Sequence, residues 1–386
     1  GSFGLGRNRP VTLRAPLSWK DFLVLMRRLT LVLLGLVCAQ PLACATGGYR
    51  GPVREDPLSR IEMLARILVL EDARSLGAGA MMQFLRQEDP AVRRRAALAA
   101  GRIGDPLVVP SLIERLKDPE LEVRRAAAFA LGLIAAPESS EPLTVALSDS
   151  DSVTRGRAAE ALGRLGKKSA GPAIAEAIRR ALPQGSEGPL RIRGDDPGRA
   201  DDPWVELRLE LIALARVKDA ESLAAVLIAP DSTPRVDWWA CVWAAMRIGD
   251  ARLAPFFVAG AKAEDPYIRS LAARGFGALK DPAPLGILRK LGEDRDPGVI
   301  VQVLRAVAAI GSPLGTPLAA LHVDSPNLVV RREALLALAA LPPESRWRSR
   351  IIENVGHQDP WIRSAAWPAL IRIESGALAT HSTVTV

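Results

Sequence analysis

Few residues of this chain could do chemistry on their own. His322, His357 and His381 are its three histidines; none is followed by Glu, and no two have the helical spacing that lets imidazoles share a metal ion. Cys241 has no histidine near it in the sequence to take its proton, so it reads as a packed side chain rather than a nucleophile. No glycine-rich phosphate loop is present: the recurrent glycines read as helix ends, and "GRIGDP" (101–106) as a turn. Aspartates and glutamates fall at helix starts and on charged faces, as caps and solvated groups do. The reading is of a non-enzyme with no catalytic residue, no metal and no cofactor.

Arginine is the remaining candidate, because its planar fork suits carboxylates and phosphates. "DPAVRRRAALAAGRIGDP" (89–106) sets three arginines side by side in a helical pattern. What each one faces depends on the elements that carry it.

Those elements repeat. "AAGRIGD" (99–105), "ALGLIAA" (130–136) and "ALGRLGK" (161–167) align on Gly101, Gly132 and Gly163, 31 residues apart. Equivalent anchors follow at Ala215, Met246, Gly277, Ala308 and Ala339 with the same step, and a last unit reaches Ile371 after one extra residue. From Gly163 to Ala215 the step is 52, so 21 residues are inserted, "ALPQGSEGPLRIRGDDPGRAD" (181–201). A fixed period of this length marks a solenoid, in which each unit buries its apolar face against its neighbours.

Each unit reads as two short helices. Asp-Pro opens the second one in "DPAV", "DPYI", "DPGV" and "DPWI": Asp accepts from free backbone N–H groups, and Pro at the first helical position has no N–H to lose. Val92, Ala96, Ala99 and Ile103 then recur at helical spacing. Period-two alternation is absent, so no sheet is expected. The prediction is an all-α solenoid, a superhelical array of about ten short helix pairs over 57–180 and 202–375, with 181–201 as a surface loop and 376–386 as a disordered tail.

"DPAVRRRAALAAGRIGD" and "DPELEVRRAAAFALGLI" resemble HEAT repeats of the short phycobilisome-lyase type, whose mark is Asp-Pro-x-Val-Arg-x-x-Ala-Ala-x-Ala-Leu-Gly-x-Ile-Gly. The resemblance covers roughly residues 57–375. It implies the fold and a concave surface lined by the second helices, and says little about function, since such arrays serve unrelated tasks. The di-iron deoxyhypusine hydroxylases among HEAT proteins depend on His-Glu pairs, which this chain lacks. Nothing in it identifies a tetrapyrrole site.

The repeat sorts the arginines. Eight residues before the anchor stand Arg93, Arg124, Arg155, Arg269, Arg331 and Arg363, and twelve before it Asp89, Asp151, Asp265, Asp296 and Asp359. Four apart on a helix, Asp and Arg can meet, and stacking brings each Arg near the Asp of the next unit, so this series reads as a structural ladder. One residue after the anchor, Arg102, Arg164, Arg216, Arg247 and Arg372 suit the negative end of a helix. Seven before it, Arg94, Arg125, Arg208 and Arg332, with Trp239 in the same register, are the candidates for a partner-binding groove. Arg95 fits no class. "VDWWACVWAAM" adds Trp243, four after Trp239 on one face, readable as an enlarged core or as an aromatic anchor at an interface.

Charge and the N-terminal region bear on location. The formal charge is +8, but Arg7, Arg9, Arg14, Lys20, Arg27 and Arg28 against Asp21 sit in the first 44 residues, leaving about +3. Residues 1–25 read as upstream sequence. Residues 26–45, with Arg27-Arg28, "LTLVLLGLVCA" and "LACATGG", read as a signal peptide, followed by a linker at 46–56. "Leu42-Ala43-Cys44" is similar to a bacterial lipoprotein box apart from Pro41, and "Ala43-Cys44-Ala45" suits ordinary signal peptidase equally; the first makes Cys44 a lipidation site. Removal of the signal leaves Cys241 with no disulfide partner.

The expectation is an exported, monomeric scaffold of the bacterial envelope that binds another protein through its groove, touching the membrane only through a lipid anchor. A second reading makes it the scaffold part of a longer protein, because residues 69–105 are similar to exported bacterial proteins in which HEAT repeats precede a cyclophilin-type peptidyl-prolyl isomerase domain. Nucleic-acid binding, as in HEAT-like DNA glycosylases, is the third and is disfavoured by the small mature charge.

Overall fold

Residues 58–183, 188–193 and 202–382 are described by a computed structural model; the signal-like segment with Cys44, the linker, 184–187 and 194–201 lie outside them. The order is α1 (Arg60–Asp72), α2 (Ala80–Phe84), α3 (Pro90–Ile103), α4 (Val109–Arg115), α5 (Leu121–Ile134), α6 (Ser140–Ala146), α7 (Ser152–Leu165), α8 (Gly171–Ala181) and β1 (Leu190–Arg191). It continues with α9 (Val205–Val217), α10 (Ala220–Leu227), β2 (Val236–Asp237), α11 (Trp239–Ile248), α12 (Ala254–Gly260), α13 (Pro266–Leu279) and α14 (Leu285–Leu291). The last elements are α15 (Pro297–Ile310), α16 (Thr316–Ala320), α17 (Leu328–Ala340), α18 (Arg348–Val355) and α19 (Pro360–Ser382). Odd-numbered helices are the second helices of the units, and each packs on the next odd one, from α1 on α3 to α17 on α19. The result is an α-solenoid with one continuous apolar spine.

Local chemistry fixes where the helices start and stop. Asp89, Asp151, Asp265 and Asp296 are N-caps, their carboxylates accepting from Ala91, Thr154, Tyr267 and Gly298 N–H, and proline opens α3, α13 and α15. At the other end Gly104, Gly166, Gly249 and Gly311 adopt left-handed φ near 70–80°. The anchor glycines do something else. Gly101 lies inside α3, where an added Cβ would sit 2.6 Å from Ala130 Cα of the next unit. The expectation that the recurrent glycines close helices therefore holds for Gly104 and its equivalents, while Gly101 permits close helix–helix approach.

The inserted segment departs from the all-helix expectation. β1 and β2 pair in parallel, Leu190 opposite Val236 and Arg191 opposite Asp237. Both strands occupy the loop between first and second helix in neighbouring units. Stacked repeats run in the same sense, so two lengthened loops lie side by side in parallel. Nor is the insertion wholly surface: Ile192 is 2% exposed and joins the core. At the far end, the tail expected to be disordered from 376 continues as helix to Ser382. No helix among the described residues is long and apolar enough to cross a membrane.

Candidate partner-binding face and the arginine ladder

The residues eight before each anchor lie between units. Arg93 donates from Nε and Nη2 to Asp118 at 2.8 Å each, and from Nη1 to the carbonyls of Gln87 and Glu88. Arg124 repeats this with Asp149 and the carbonyls of Asp118 and Pro119, and Arg269 with Asp294 and those of Ala263 and Glu264. Arg155 takes Glu206 across the insertion at 2.5 and 2.7 Å.

The pairing crosses units as expected, but the acid is neither the cap aspartate of the same helix, four residues away, nor the cap of the next unit. It lies 25 residues ahead, two before the next cap, and also accepts the N–H at the cap position: Asp118 from Glu120, Asp149 from Asp151, Asp294 from Asp296. The ladder fork and the helix cap thus use different acids, although a cap carboxylate can do both: Asp151 accepts the Thr154 N–H and also the fork of Arg125 from the previous unit. Burial opposes ionisation of Asp118, but the Arg93 fork, the Glu120 N–H and Arg115 together outweigh it and hold the carboxyl below its usual range; for Asp294 the Arg269 fork is the first cause of the same lowering.

One described member has no acid at this place. The position ahead of Arg331, one residue later because of the extra residue, holds His357, whose Nδ1 accepts the Asp359 N–H; Arg331 Nε is buried without a partner. Arg363 bonds the carbonyls of His357 and Gln358, while Asp359 accepts from Trp361 and Ile362 N–H.

The partner-binding candidates do not all share a face. Arg94 is half exposed and 3.4 Å from Glu122, and Arg125 is held between Glu122 and Asp151, both at 2.6 Å; Arg125 lowers the Asp151 pKa strongly. Arg94, Leu98, Glu122, Arg125, Phe129 and Arg157 line a cleft of about 290 Å³ across α3, α5 and α7, with the Arg157 guanidinium 5.3 Å above the Phe129 ring. Arg332 lies 5.9 Å over Trp361 at the far end of the stack. Arg208 is buried at 7% exposure against Asp202, 2.5 Å away, which removes it from any groove. Trp239 and Trp243 are partly buried against the core; Trp239 stacks edge-on with the fully buried Trp238 and lies 6.3 Å from Tyr267. Cys241 is buried, and burial raises its thiol pKa far above the ordinary value.

Sequence reasoning missed the acids that organise the second-helix face. Glu71 binds both Arg95 and Arg102, which places the arginine that fitted no class. Glu160 gathers Arg157, Arg164 and Arg216, and Glu333 gathers Arg305 and Arg332. Arg102, Arg164 and Arg216 are therefore cross-linked to carboxylates as well as sited at helix ends. A signal for the ladder was present: Arg93, Arg124 and Arg269 have Asp 25 residues on, whereas Leu207, Trp238 and Ile300 at the same register have Ser232, Ala263 and Ser325. Glu210, fully buried, has neither carboxylate oxygen hydrogen-bonded; burial first and Glu206 second push its pKa well up. Among the described residues no group of three or more His, Cys, Asp or Glu could hold a metal ion.

This geometry defines a class: an α-solenoid of stacked helix pairs with an interrepeat arginine ladder. The family profile of HEAT repeats matches residues 61–121, 109–184 and 254–339, more than half of the chain, and the chain belongs to the HEAT-repeat family. The unmatched stretch between 184 and 254 holds the insertion, both strands and the tryptophan helix. A solved structure of Kap95p with RanGDP is similar at TM-score 0.52 and 12% identity, over 80% of this chain and 47% of that one. This chain thus spans less than half of that chain, and the likeness shows the fold. An engineered protein aligns at TM-score 0.42 and 18% identity over 81% and 92% of the two chains. The CpcE–CpcF complex of phycocyanin lyase from Nostoc sp. PCC7120 aligns at TM-score 0.32 and 17% identity over 86% and 100%. No curated protein matches the sequence.

Proposed function

We propose that the chain is a non-enzymatic scaffold that binds another protein through the face of its second helices. The observation that carries this is the cleft across α3, α5 and α7, where Leu98 and Phe129 are framed by Arg94, Arg125, Arg157 and Glu122. Arginine beside an aromatic ring is the composition of interface hot spots, and the partner it suits offers carboxylates around an apolar anchor. The family's use of long stacked surfaces supports the same reading. Residues 26–45 support export, with lipidation at Cys44 as one route, and the small charge of the remainder disfavours nucleic acid.

The experiment is site-specific photo-crosslinking in the native cell envelope. A crosslinker at Phe129 is expected to give one defined adduct that disappears in Arg94→Glu and Arg157→Glu, while a crosslinker at exposed Leu107, ahead of first helix α4, does not give it. The same adduct from both positions, or none from Phe129, overturns the reading.

A further inference from the structure

The cleft across α3, α5 and α7 already holds one carboxylate, and its place in the repeat is unusual. Glu122 stands ten residues before its anchor, where the neighbouring units have Ala91 and Val153 and no other unit has an acid. Packing in the stack therefore does not require it. Its side chain is 51% exposed and bridges two guanidiniums: Oε1 accepts from Arg125 Nη1 at 2.6 Å, and Oε2 lies 3.4 Å from Arg94 Nε. Arg125 is fixed from behind, with Nε and Nη2 on Asp151, so Nη1 is the donor it keeps for the cleft. Among the described residues Glu122 is the one acid that pairs with Arg94.

The chain's own Glu122 thus shows where a carboxylate sits between these two arginines. The hold is weak, because ion pairs this exposed gain little over hydration. A carboxylate from outside that also brings apolar surface displaces it, and the floor for that surface is at hand: Leu98 and Phe129 line the same space, with the Arg157 guanidinium over the Phe129 ring as its wall. At about 290 Å³ the cleft is at the small end of ligand sites, with room for one side chain and one carboxylate rather than for a helix. One residue must therefore deliver both groups. An internal Asp or Glu carries its carboxylate at the tip of the side chain and has no apolar group to add. The last residue of a chain carries a carboxylate and an apolar side chain on one Cα.

Resting on the scaffold reading above, we propose that the cleft captures the C-terminus of the partner: the terminal carboxylate replaces Glu122 between Arg94 and Arg125, and the apolar side chain of the last residue lies on Leu98 and Phe129. Glu122 is then a specificity residue. It keeps both guanidiniums paired until a ligand arrives, and the need to displace it favours ligands that add apolar contact over bare anions. Displaced, Glu122 stays in the first turn of α5, where a negative charge suits the helix N-terminus, so its release strands no charge.

The test is ligand-observed NMR on the full chain with three peptides: Ser-Gly-Ser-Gly-Ser-Leu with a free C-terminal carboxylate, the same peptide closed as the carboxamide, and a carboxamide form extended by Asp, which offers a side-chain carboxylate beside the leucine. The free acid is expected to bind roughly tenfold or more tighter than either carboxamide, since it alone sets charge and apolar side chain on one residue. Its leucine methyl signals are expected to move upfield over the Phe129 ring, and the shift to vanish in Phe129→Leu. Arg94→Gln weakens the free acid alone. Glu122→Gln strengthens the free acid and leaves the plain carboxamide unchanged, a gain that loosening of the fold does not give. Equal binding of free acid and either carboxamide, unchanged or weaker binding of the free acid in Glu122→Gln, or no binding of it up to millimolar concentration overturns the proposal. Each of these results leaves the scaffold reading standing where the crosslink at Phe129 still forms, and loss of that crosslink removes both.

Discussion

At the residue scale the ladder behaves as a set of paired positions rather than as a charge pattern. Arg93 with Asp118 is buried, doubly hydrogen-bonded and tied to the backbone on both sides, so each member depends on the other. Arg331 is the broken rung. His357→Asp is expected to give its fork a carboxylate and raise stability by about 1 kcal/mol, read as an upward shift of the thermal midpoint; a lower midpoint would contradict the ladder. Glu210 works in the opposite sense. Its pKa is raised in the folded protein, so the unfolded chain releases this proton first as pH rises, and stability is lost through the interval above the ordinary glutamate value. Asp118 and Asp294 have lowered folded pKa values, and their contribution is present at neutral pH and lost on acidification. Glu210→Leu is therefore expected to stabilise the protein by roughly 1–3 kcal/mol at neutral pH and to remove part of the loss seen as pH rises above the ordinary glutamate value, measured by denaturant unfolding at several pH values. The arginine register and its pairing across units could be read from the sequence, but the acid was sought at the cap positions and stands two residues before them. Glu210 gave no signal at all, since an acid at a core position looks like any other until its neighbours are placed.

At the element scale the sequence specified helices well because each level agreed: Asp-Pro caps, alanine-rich faces and left-handed glycine ends all point to the same boundaries. The role of the anchor glycines was misread because a glycine that ends a helix and a glycine that admits a neighbour look alike in one chain. The two can be told apart by substitution. Gly101→Ala forces a Cβ onto Ala130 Cα and is expected to cost about 1–3 kcal/mol despite the better helix propensity of alanine, with chemical denaturation as the measure. An equal or greater stability than the parent would show that α3 and α5 have room to separate. The two-residue strands escaped notice for a different reason: β1 and β2 exist through the neighbourhood of two lengthened loops, which periodicity within either loop does not encode.

At the scale of the whole molecule the constant step of 31 residues is the organising quantity, and function follows from it. A stack of interchangeable units creates a long surface of second helices, and the cleft at Phe129 lies along it. The partner's identity was not legible because repeat arrays fix a surface and leave its specificity to a few side chains. The central claim, that successive units are equivalent in register, is tested most directly by removing one whole unit, residues 106–136, so that Asp105 joins Pro137 in the place of Pro106. The account predicts a folded protein with the same helicity per residue and a single cooperative thermal transition, because Arg93 then meets Asp149 where Asp118 stood and Gly101 meets Ala161 where Ala130 stood. Loss of the cooperative transition, in a variant that differs only by one complete period, would contradict it.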